Sequence, residues 1–172
     1  HYINQDQAKF FHEQLKLACD DSDADYYNEF KKWADDYFFI KHRKETRGVG
    51  GIFFDRLNEQ SRSKSKEDLF KFVQDVGNTF APTYVKIVNE NKEKSYGEEE
   101  KRWQKIRRSR YVEFNLVYDK GTKFGLDTDG RIESILMSLP LETGWEYNPQ
   151  FEAGSREQAT IDLLKKEINW LA

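Results

Sequence analysis

Apolar residues recur every three or four positions through much of the chain, and this spacing predicts amphipathic helices. Asn4 and Gln7 form a candidate capping pair, and a first helix follows to Cys19. A second helix begins at Asp23 or Asp25 and ends before the glycines at positions 48, 50 and 51. The same spacing predicts three further helices, over residues 66–80, 98–109 and 156–170, with Pro82 interrupting the first of these or starting the next segment.

Three other stretches have the composition of β-strands. Residues 52–57 are predicted to form a short buried strand, and residues 110–118 alternate Val112, Phe114 and Leu116 with side chains of the opposite face. Residues 132–139 are also rich in β-forming side chains and follow turn material. Helices combined with such strands predict an α+β fold, in which an antiparallel sheet is flanked by helices on both faces.

Composition narrows the class of protein. The 13 Phe, 9 Tyr and 4 Trp supply large buried areas, so the chain is expected to be globular although 34% of its residues are charged. A net charge of −3 provides no overall attraction to nucleic acid or to an anionic membrane. The single cysteine excludes an internal disulfide, and no apolar run is long enough to predict an integral membrane segment.

One basic run keeps a nucleic-acid-binding function open as an alternative. Lys101–Arg110 holds six basic residues and no acid, with Trp103 among them. Acids precede the run at positions 98–100, and helix C-termini favour basic side chains in any case. We therefore favour a solvated or interface face over a nucleic-acid partner.

Residues Lys31–Asp55 carry a long and specific motif, KKWADDYFFIKHRKETRGVGGIFFD. Two further stretches agree with it, YVEFNLVYDKGTKFGL at Tyr111–Leu126 and GRIESILMSLP at Gly130–Pro140. Together they resemble the motifs of the oxygen-dependent coproporphyrinogen oxidases, and the resemblance covers essentially the whole chain. Ala34 stands where that family usually has Cys, and Lys120 stands where it has Arg.

The resemblance implies an enzyme of haem biosynthesis. Its substrate would be coproporphyrinogen III, two propionates of which are oxidatively decarboxylated to vinyl groups with molecular oxygen as oxidant and no organic cofactor. The chain would be the carboxyl-terminal part of a single domain, and it is expected to be inactive alone, because the preceding half carries a proposed proton donor and further substrate contacts. A bacterial cytoplasm is the first expectation for its location, and the mitochondrial intermembrane space is the second.

The resemblance also assigns site residues. Arg47 falls on a substrate-contact position, where a fixed cation suits a propionate, and Asp119 falls on a position proposed to accept pyrrole N–H bonds and to stabilise developing positive charge. Lys120 and the segment Asp129, Gly130 and Arg131 would add substrate contacts. Lys120 keeps the positive charge of the usual Arg but loses its planar fork.

Each assignment has a structural alternative. Arg43, Glu45 and Arg47 alternate along the chain, which is also typical of an ion-pair ladder at a surface. Asp119 precedes Lys-Gly and suits a turn, and Gly130 with Arg131 suits a hairpin turn. The glycines at 48–51 do not form a dinucleotide-binding loop, because the predicted strand follows them and does not precede them.

Two histidines are candidate metal ligands. His12 and His42 fall on positions described as ligands of a divalent metal ion in bacterial members of the family, whereas other members work without metal. From spacing alone, each is more often a packed or capping histidine, and two imidazoles make an incomplete site.

The chain is also expected to associate with a second copy of itself. The family pairs as a homodimer through the region Tyr111–Ser138, where Phe114, Leu116, Val117, Ile135, Leu136 and Met137 offer apolar surface. A non-catalytic tetrapyrrole-binding or dimerisation module remains the alternative to an enzyme.

Overall fold

The computed structural model describes all 172 residues and contains eight helices and two short strands. The helices are α1 (Gln5–Asp20), α2 (Tyr26–Tyr37), α3 (Glu59–Arg62), α4 (Lys66–Asn91), α5 (Glu98–Val117), α6 (Lys120–Asp127), α7 (Ile132–Leu136) and α8 (Arg156–Leu163). The strands β1 (Phe39–Ile40) and β2 (Glu45–Thr46) pair antiparallel, with Phe39 opposite Thr46 and Ile40 opposite Glu45. No helix is both long enough and apolar enough to cross a bilayer.

The chain divides into two compact units. The first, called the α5 unit, comprises His1–Tyr2, Phe38–Gly48 and Ser95–Lys165, and holds the hairpin and helices α5 to α8. The second, called the α4 unit, comprises Ile3–Tyr37, Val49–Lys94 and Lys166–Ala172, and holds helices α1 to α4.

An aromatic cluster forms the core of the α4 unit. Phe30 and Phe72 are almost completely buried, and the Phe72 ring lies 5.0 Å from that of Tyr26 and 5.1 Å from that of Phe54. Helix α1 packs against α4 and adds Leu15 and the fully buried thiol of Cys19. Burial raises the pKa of Cys19 to about 12. The predicted start of α1 is confirmed, because the Asn4 side chain accepts the N–H of Gln7.

The core of the α5 unit lies where the hairpin packs on α5. Phe114 and Ile40 are fully buried, and Trp103 and Ile106 of α5 are nearly so. The hairpin is tied to the end of α8, because the Thr46 N–H donates to the carbonyl of Leu164 at 2.9 Å.

The predicted strand at residues 110–118 is wrong, since α5 continues helically to Val117. Buried positions Trp103, Arg107, Arg110 and Phe114 recur every three or four residues, so one helical face is buried through the whole segment. A strand needs a long neighbour to pair its backbone groups, and the hairpin offers only two residues a strand, whereas a helix satisfies them internally.

The other two predicted strands are also wrong. Residues 132–139 begin with α7, whose first turn is closed by the N–H groups of Ser134 and Ile135 donating to the Arg131 carbonyl. Residues 52–57 pack Ile52, Phe54 and Leu57 on the core, but they pair with no strand. The antiparallel sheet is therefore the single hairpin, and the fold is mostly helical.

Two helix ends also differ from prediction. Pro82 lies inside α4, which continues to Asn91. The packing of its apolar face against α1 outweighs the one backbone hydrogen bond that proline cannot make. Beside Pro82, the hydroxyl of Thr83 donates to the Thr79 carbonyl. The final helix ends at Leu163, seven residues before Trp170. The helix stops at its C-cap, Leu164, whose φ of −88° and ψ of 53° are not helical and whose N–H donates to the Ile161 carbonyl.

We predict that Phe72→Ala lowers the free energy of unfolding of the α4 unit by about 3–5 kcal/mol, because the variant leaves a cavity among the three rings that pack on Phe72. Phe70→Ala is the matched control on the same helix, since the Phe70 side chain is 61% exposed. Urea titrations of both variants make the measurement, and equal losses in the two would contradict the packing described.

Candidate functional site

Arg47 directly follows β2 and lies among three aromatic rings. Its guanidinium carbon is 4.3 Å from the ring centre of Phe38, 5.0 Å from that of Phe114 and 5.2 Å from that of Tyr111. Its backbone N–H donates to the Phe38 carbonyl at 3.0 Å. Rings this close attract the positive charge of a guanidinium, whose N–H groups lie in a single plane.

Glu45, the residue paired with Ile40, is buried between two arginines of α5. Arg107 Nη1 lies 3.1 Å from each Glu45 oxygen, and Arg110 Nε lies 3.2 Å from Oε1. Burial lowers the pKa of Arg107, and the charge and hydrogen bonds of Glu45 oppose that shift. The predicted ladder of Arg43, Glu45 and Arg47 is therefore not continuous, because Glu45 pairs with α5.

The carboxylate of Glu113 forms hydrogen bonds with four side chains. Arg43 binds it bidentately at 2.8 Å and 2.6 Å, and His42 Nε2 lies 2.7 Å from Oε2. The indole of Trp145 donates to Oε1 at 2.9 Å, and Arg110 Nη1 lies 3.2 Å from the same oxygen. Burial alone would raise the pKa of Glu113, but these hydrogen bonds and the charge of Arg110 lower it to about 2.

Asp119 begins α6 and is positioned by its own helix. Its carboxylate oxygen Oδ2 accepts the Thr122 N–H at 2.7 Å and the Thr122 hydroxyl at 2.9 Å, which makes it the N-cap. Its backbone N–H donates to the carbonyl of Phe114, whose ring contacts Arg47. Arg47 and Asp119, the two principal predicted site residues, therefore both contact Phe114 of α5. Lys120 is exposed beside Asp119.

Asp129, Gly130 and Arg131 form the turn between α6 and α7. Asp129 has a left-handed φ of 57°, and the Gly130 N–H donates to the Gly125 carbonyl at 2.9 Å. A Cβ at position 130 would lie 2.8 Å from that carbonyl oxygen, so glycine is required there. Arg131 is exposed and begins α7. This is a helix–helix turn, so the hairpin alternative for Gly130 and Arg131 is wrong.

The two histidines lie in different units. His12 is buried in the α4 unit, where Nδ1 lies 2.9 Å from the Tyr27 hydroxyl and Nε2 lies 2.9 Å from the carbonyl oxygen of Val49. Because a carbonyl only accepts, Nε2 carries the proton and Nδ1 accepts from Tyr27. His42 uses Nδ1 toward Tyr118 at 2.8 Å and Nε2 toward Glu113.

These histidines do not fit a metal site in this structure. Both ring nitrogens of each histidine are engaged in hydrogen bonds, and a metal would need one of them in place of hydrogen. No group of three or more His, Cys, Asp or Glu side chains converges in the way that a metal ion needs.

The basic run on α5 is largely neutralised by acids of the same unit. Arg107 and Arg110 are buried against Glu45. Two other basic residues form ion pairs at the surface, Arg102 with Glu146 at 2.5 Å and Lys105 with Glu142 at 2.8 Å. A nucleic-acid interface needs a continuous exposed basic stripe. The paired charges favour an internal role for this run.

Sequence reasoning assigned no role to Glu113 or Trp145. Glu113 lies inside a motif, but its three-residue spacing from Arg110 signals an ion pair only when the segment is taken as a helix. Trp145 lies in a loop, 32 residues from Glu113, and no local pattern predicts that contact.

Comparison with known proteins agrees with these motifs. A family model described as coproporphyrinogen III oxidase matches residues 1–170. The human protein named oxygen-dependent coproporphyrinogen-III oxidase, mitochondrial, is 52% identical over 171 residues, covering 99% of this chain and 37% of the human one. A chloroplastic Arabidopsis thaliana coproporphyrinogen-III oxidase is 49% identical, covering 99% of this chain and 43% of its own. The chain spans about two fifths of the length of these curated relatives.

Protonation of His12 is expected to destabilise the α4 unit. Burial lowers the pKa of His12 below 6.5, so the stability that it contributes is complete above about pH 6.5 and declines as the pH falls from there to the folded-state pKa. Unfolding free energies measured at about pH 7.5 and 5.5 should therefore differ more in the wild type than in His12→Gln, which keeps a neutral donor for Val49. His42→Gln is the control, and an unchanged pH dependence in His12→Gln would contradict this interpretation.

Proposed function

Because this chain belongs to the coproporphyrinogen III oxidase family, we propose that it is part of an enzyme that converts two propionates of coproporphyrinogen III to vinyl groups. The observation that supports this most is the identity of about one half, maintained through 99% of the chain, to proteins named for that activity. The placement of Arg47 and Asp119 around Phe114 is consistent with it.

Oxygen is the proposed oxidant. Each ionised propionate loses carbon dioxide and a hydride equivalent, and oxygen takes the hydride equivalent together with one proton to form hydrogen peroxide. The porphyrinogen is an electron-rich reductant, so no organic cofactor is part of the proposal. No metal ion is proposed either, because His12 and His42 are hydrogen bonded through both ring nitrogens.

Arg47 is proposed to bind a propionate. Rings against a guanidinium restrain its orientation, and the in-plane N–H groups match the two oxygens of a carboxylate. The three rings around Arg47 also lower the local dielectric constant, which strengthens a charge-assisted hydrogen bond.

Asp119 is proposed to accept pyrrole N–H bonds and to stabilise positive charge on the oxidised pyrrole. Thr122 fixes one of its oxygens, so the carboxylate is oriented before substrate binds. Lys120 and the turn residues Asp129, Gly130 and Arg131 are proposed as further contacts to the substrate. The backbone of Gly130 is held close to that of Gly125.

Within the complete enzyme, residues 1–172 are proposed to form the carboxyl-terminal part of one α+β domain, whose antiparallel sheet is flanked by helices on both faces. The mitochondrial and chloroplastic names of the relatives favour an organelle over a bacterial cytoplasm. A non-catalytic tetrapyrrole-binding or dimerisation module remains the second candidate, because the chain spans only part of its relatives. Product formation by the complete protein distinguishes the two.

A homodimer through Tyr111–Ser138 is also proposed. Leu116, Phe124 and Met137 of this region are 45%, 70% and 78% exposed and offer apolar surface. Phe114 does not belong to that surface, because it is fully buried within the α5 unit.

Arg47 variants of the complete enzyme test the site. Arg47→Ala should lower kcat/KM for coproporphyrinogen III at least about tenfold, and Arg47→Lys should fall between, since lysine keeps the charge but loses the fork. Arg156→Ala is the control, because Arg156 also stacks on a ring, with its guanidinium carbon 3.7 Å from the ring centre of Tyr2. A destabilised Arg47→Ala enzyme with normal kcat/KM would remove Arg47 from the site.

The dimer is tested by sedimentation of the complete protein at micromolar concentration. Met137→Asp should shift it toward monomer, because a charge in an apolar interface must be desolvated. Leu141→Asp is the control, since Leu141 is fully exposed just outside the proposed region. A wild-type protein that sediments only as monomer would contradict the proposal.

A further inference from the structure

Glu113 connects three separate segments of the α5 unit through one carboxylate. Arg43 and His42 come from the turn of the β1–β2 hairpin, Arg110 comes from α5 itself, and Trp145 comes from the loop after Pro140. The Glu113 side chain is only 11% exposed, so loss of its charge would leave several donors without an acceptor and little water to replace it.

Arg110 extends this network to the strand of the hairpin. Its Nη1 lies 3.2 Å from Glu113 and its Nε lies 3.2 Å from Glu45, so one guanidinium contacts both carboxylates. Glu45 is also held by Arg107. The hairpin is thus bound to α5 at its turn through Glu113 and at its second strand through Glu45.

The same two elements build the surroundings of Arg47. Tyr111 and Phe114, which contribute two of its three rings, flank Glu113 on α5. Phe38, which contributes the third ring, precedes β1, and Arg47 itself follows β2. The direction of the Arg47 guanidinium therefore depends on how the hairpin sits on α5.

We propose that Glu113 is a positioning residue for Arg47: by holding Arg43 and the hairpin turn against α5, it sets the orientation in which Arg47 meets a substrate propionate. This inference rests on the proposed function, in which Arg47 binds that propionate. Small displacements of a binding group cost large factors in rate, so a rigid attachment has a direct use. Glu113 has this role without contact to substrate.

A double-mutant cycle in the complete enzyme tests the proposal. Glu113→Gln keeps the shape of the side chain but loses the charge, and it should lower kcat/KM for coproporphyrinogen III about tenfold, chiefly through KM. Because Glu113 acts through Arg47, adding Glu113→Gln to Arg47→Ala should change kcat/KM by less than about twofold. The dissociation constant of coproporphyrin III, measured by fluorescence titration, should follow the same cycle.

Glu146→Gln is the matched control. Glu146 also accepts a bidentate arginine of α5, Arg102, at 2.7 Å and 2.5 Å, and its removal should leave kcat/KM unchanged. Where Glu113→Gln does not fold, Arg43→Lys replaces it. That variant keeps the charge and loses the fork, so it should give a smaller loss that also vanishes beside Arg47→Ala.

The outcomes separate the two hypotheses. A loss from Glu113→Gln or Arg43→Lys that multiplies with that of Arg47→Ala, or a wild-type value in either single variant, overturns the positioning role. A wild-type complete protein that forms no product overturns the proposed function, and a non-additive cycle in the dissociation constant would still support positioning. A protein that neither reacts with coproporphyrinogen III nor binds coproporphyrin III overturns both.

Discussion

One buried and one largely buried carboxylate, facing three arginines, fasten the hairpin of the α5 unit to its longest helix. A buried charge is costly unless it is paired and hydrogen bonded, and removing one partner of such a pair leaves the other in a site that disfavours it. Glu45 and Glu113 are each held by at least two arginines, with Arg110 shared between them. This arrangement joins the hairpin to α5 at its turn through Glu113 and at its second strand through Glu45.

The proposed site residues take their positions from that arrangement. Arg47 leaves the hairpin immediately after the strand that carries Glu45, and its rings come from the helix that carries Glu113. Asp119 follows the end of the same helix, where its N–H bonds to the Phe114 carbonyl. The proposed site uses only one hairpin and one helix end. Its geometry therefore depends on the relative placement of these two elements.

Helix starts that depend on residues close together in the sequence could be predicted from it. Helix α1 and its Asn4 cap, and the start of α4 at its Ser65 cap, depend on contacts within a few residues and were predictable. The alternation at residues 110–118 was ambiguous, because Val112 and Phe114 suit one face of a strand, whereas Arg110 and Phe114 suit one face of a helix. Only the partners of those side chains decide, and they lie some 60 to 70 residues away at Arg43 and Glu45. The motifs identified Arg47 and Asp119 without showing that both meet Phe114.

The single cysteine, Cys19, can report on the opening of the α4 unit. Cys19 is fully buried in the aromatic core of the α4 unit, and its raised pKa keeps it in the unreactive thiol form. A thiol reagent can therefore modify it only during openings of that unit, and the α5 unit contains no cysteine to compete. The rate of its modification then measures how often the α4 unit opens.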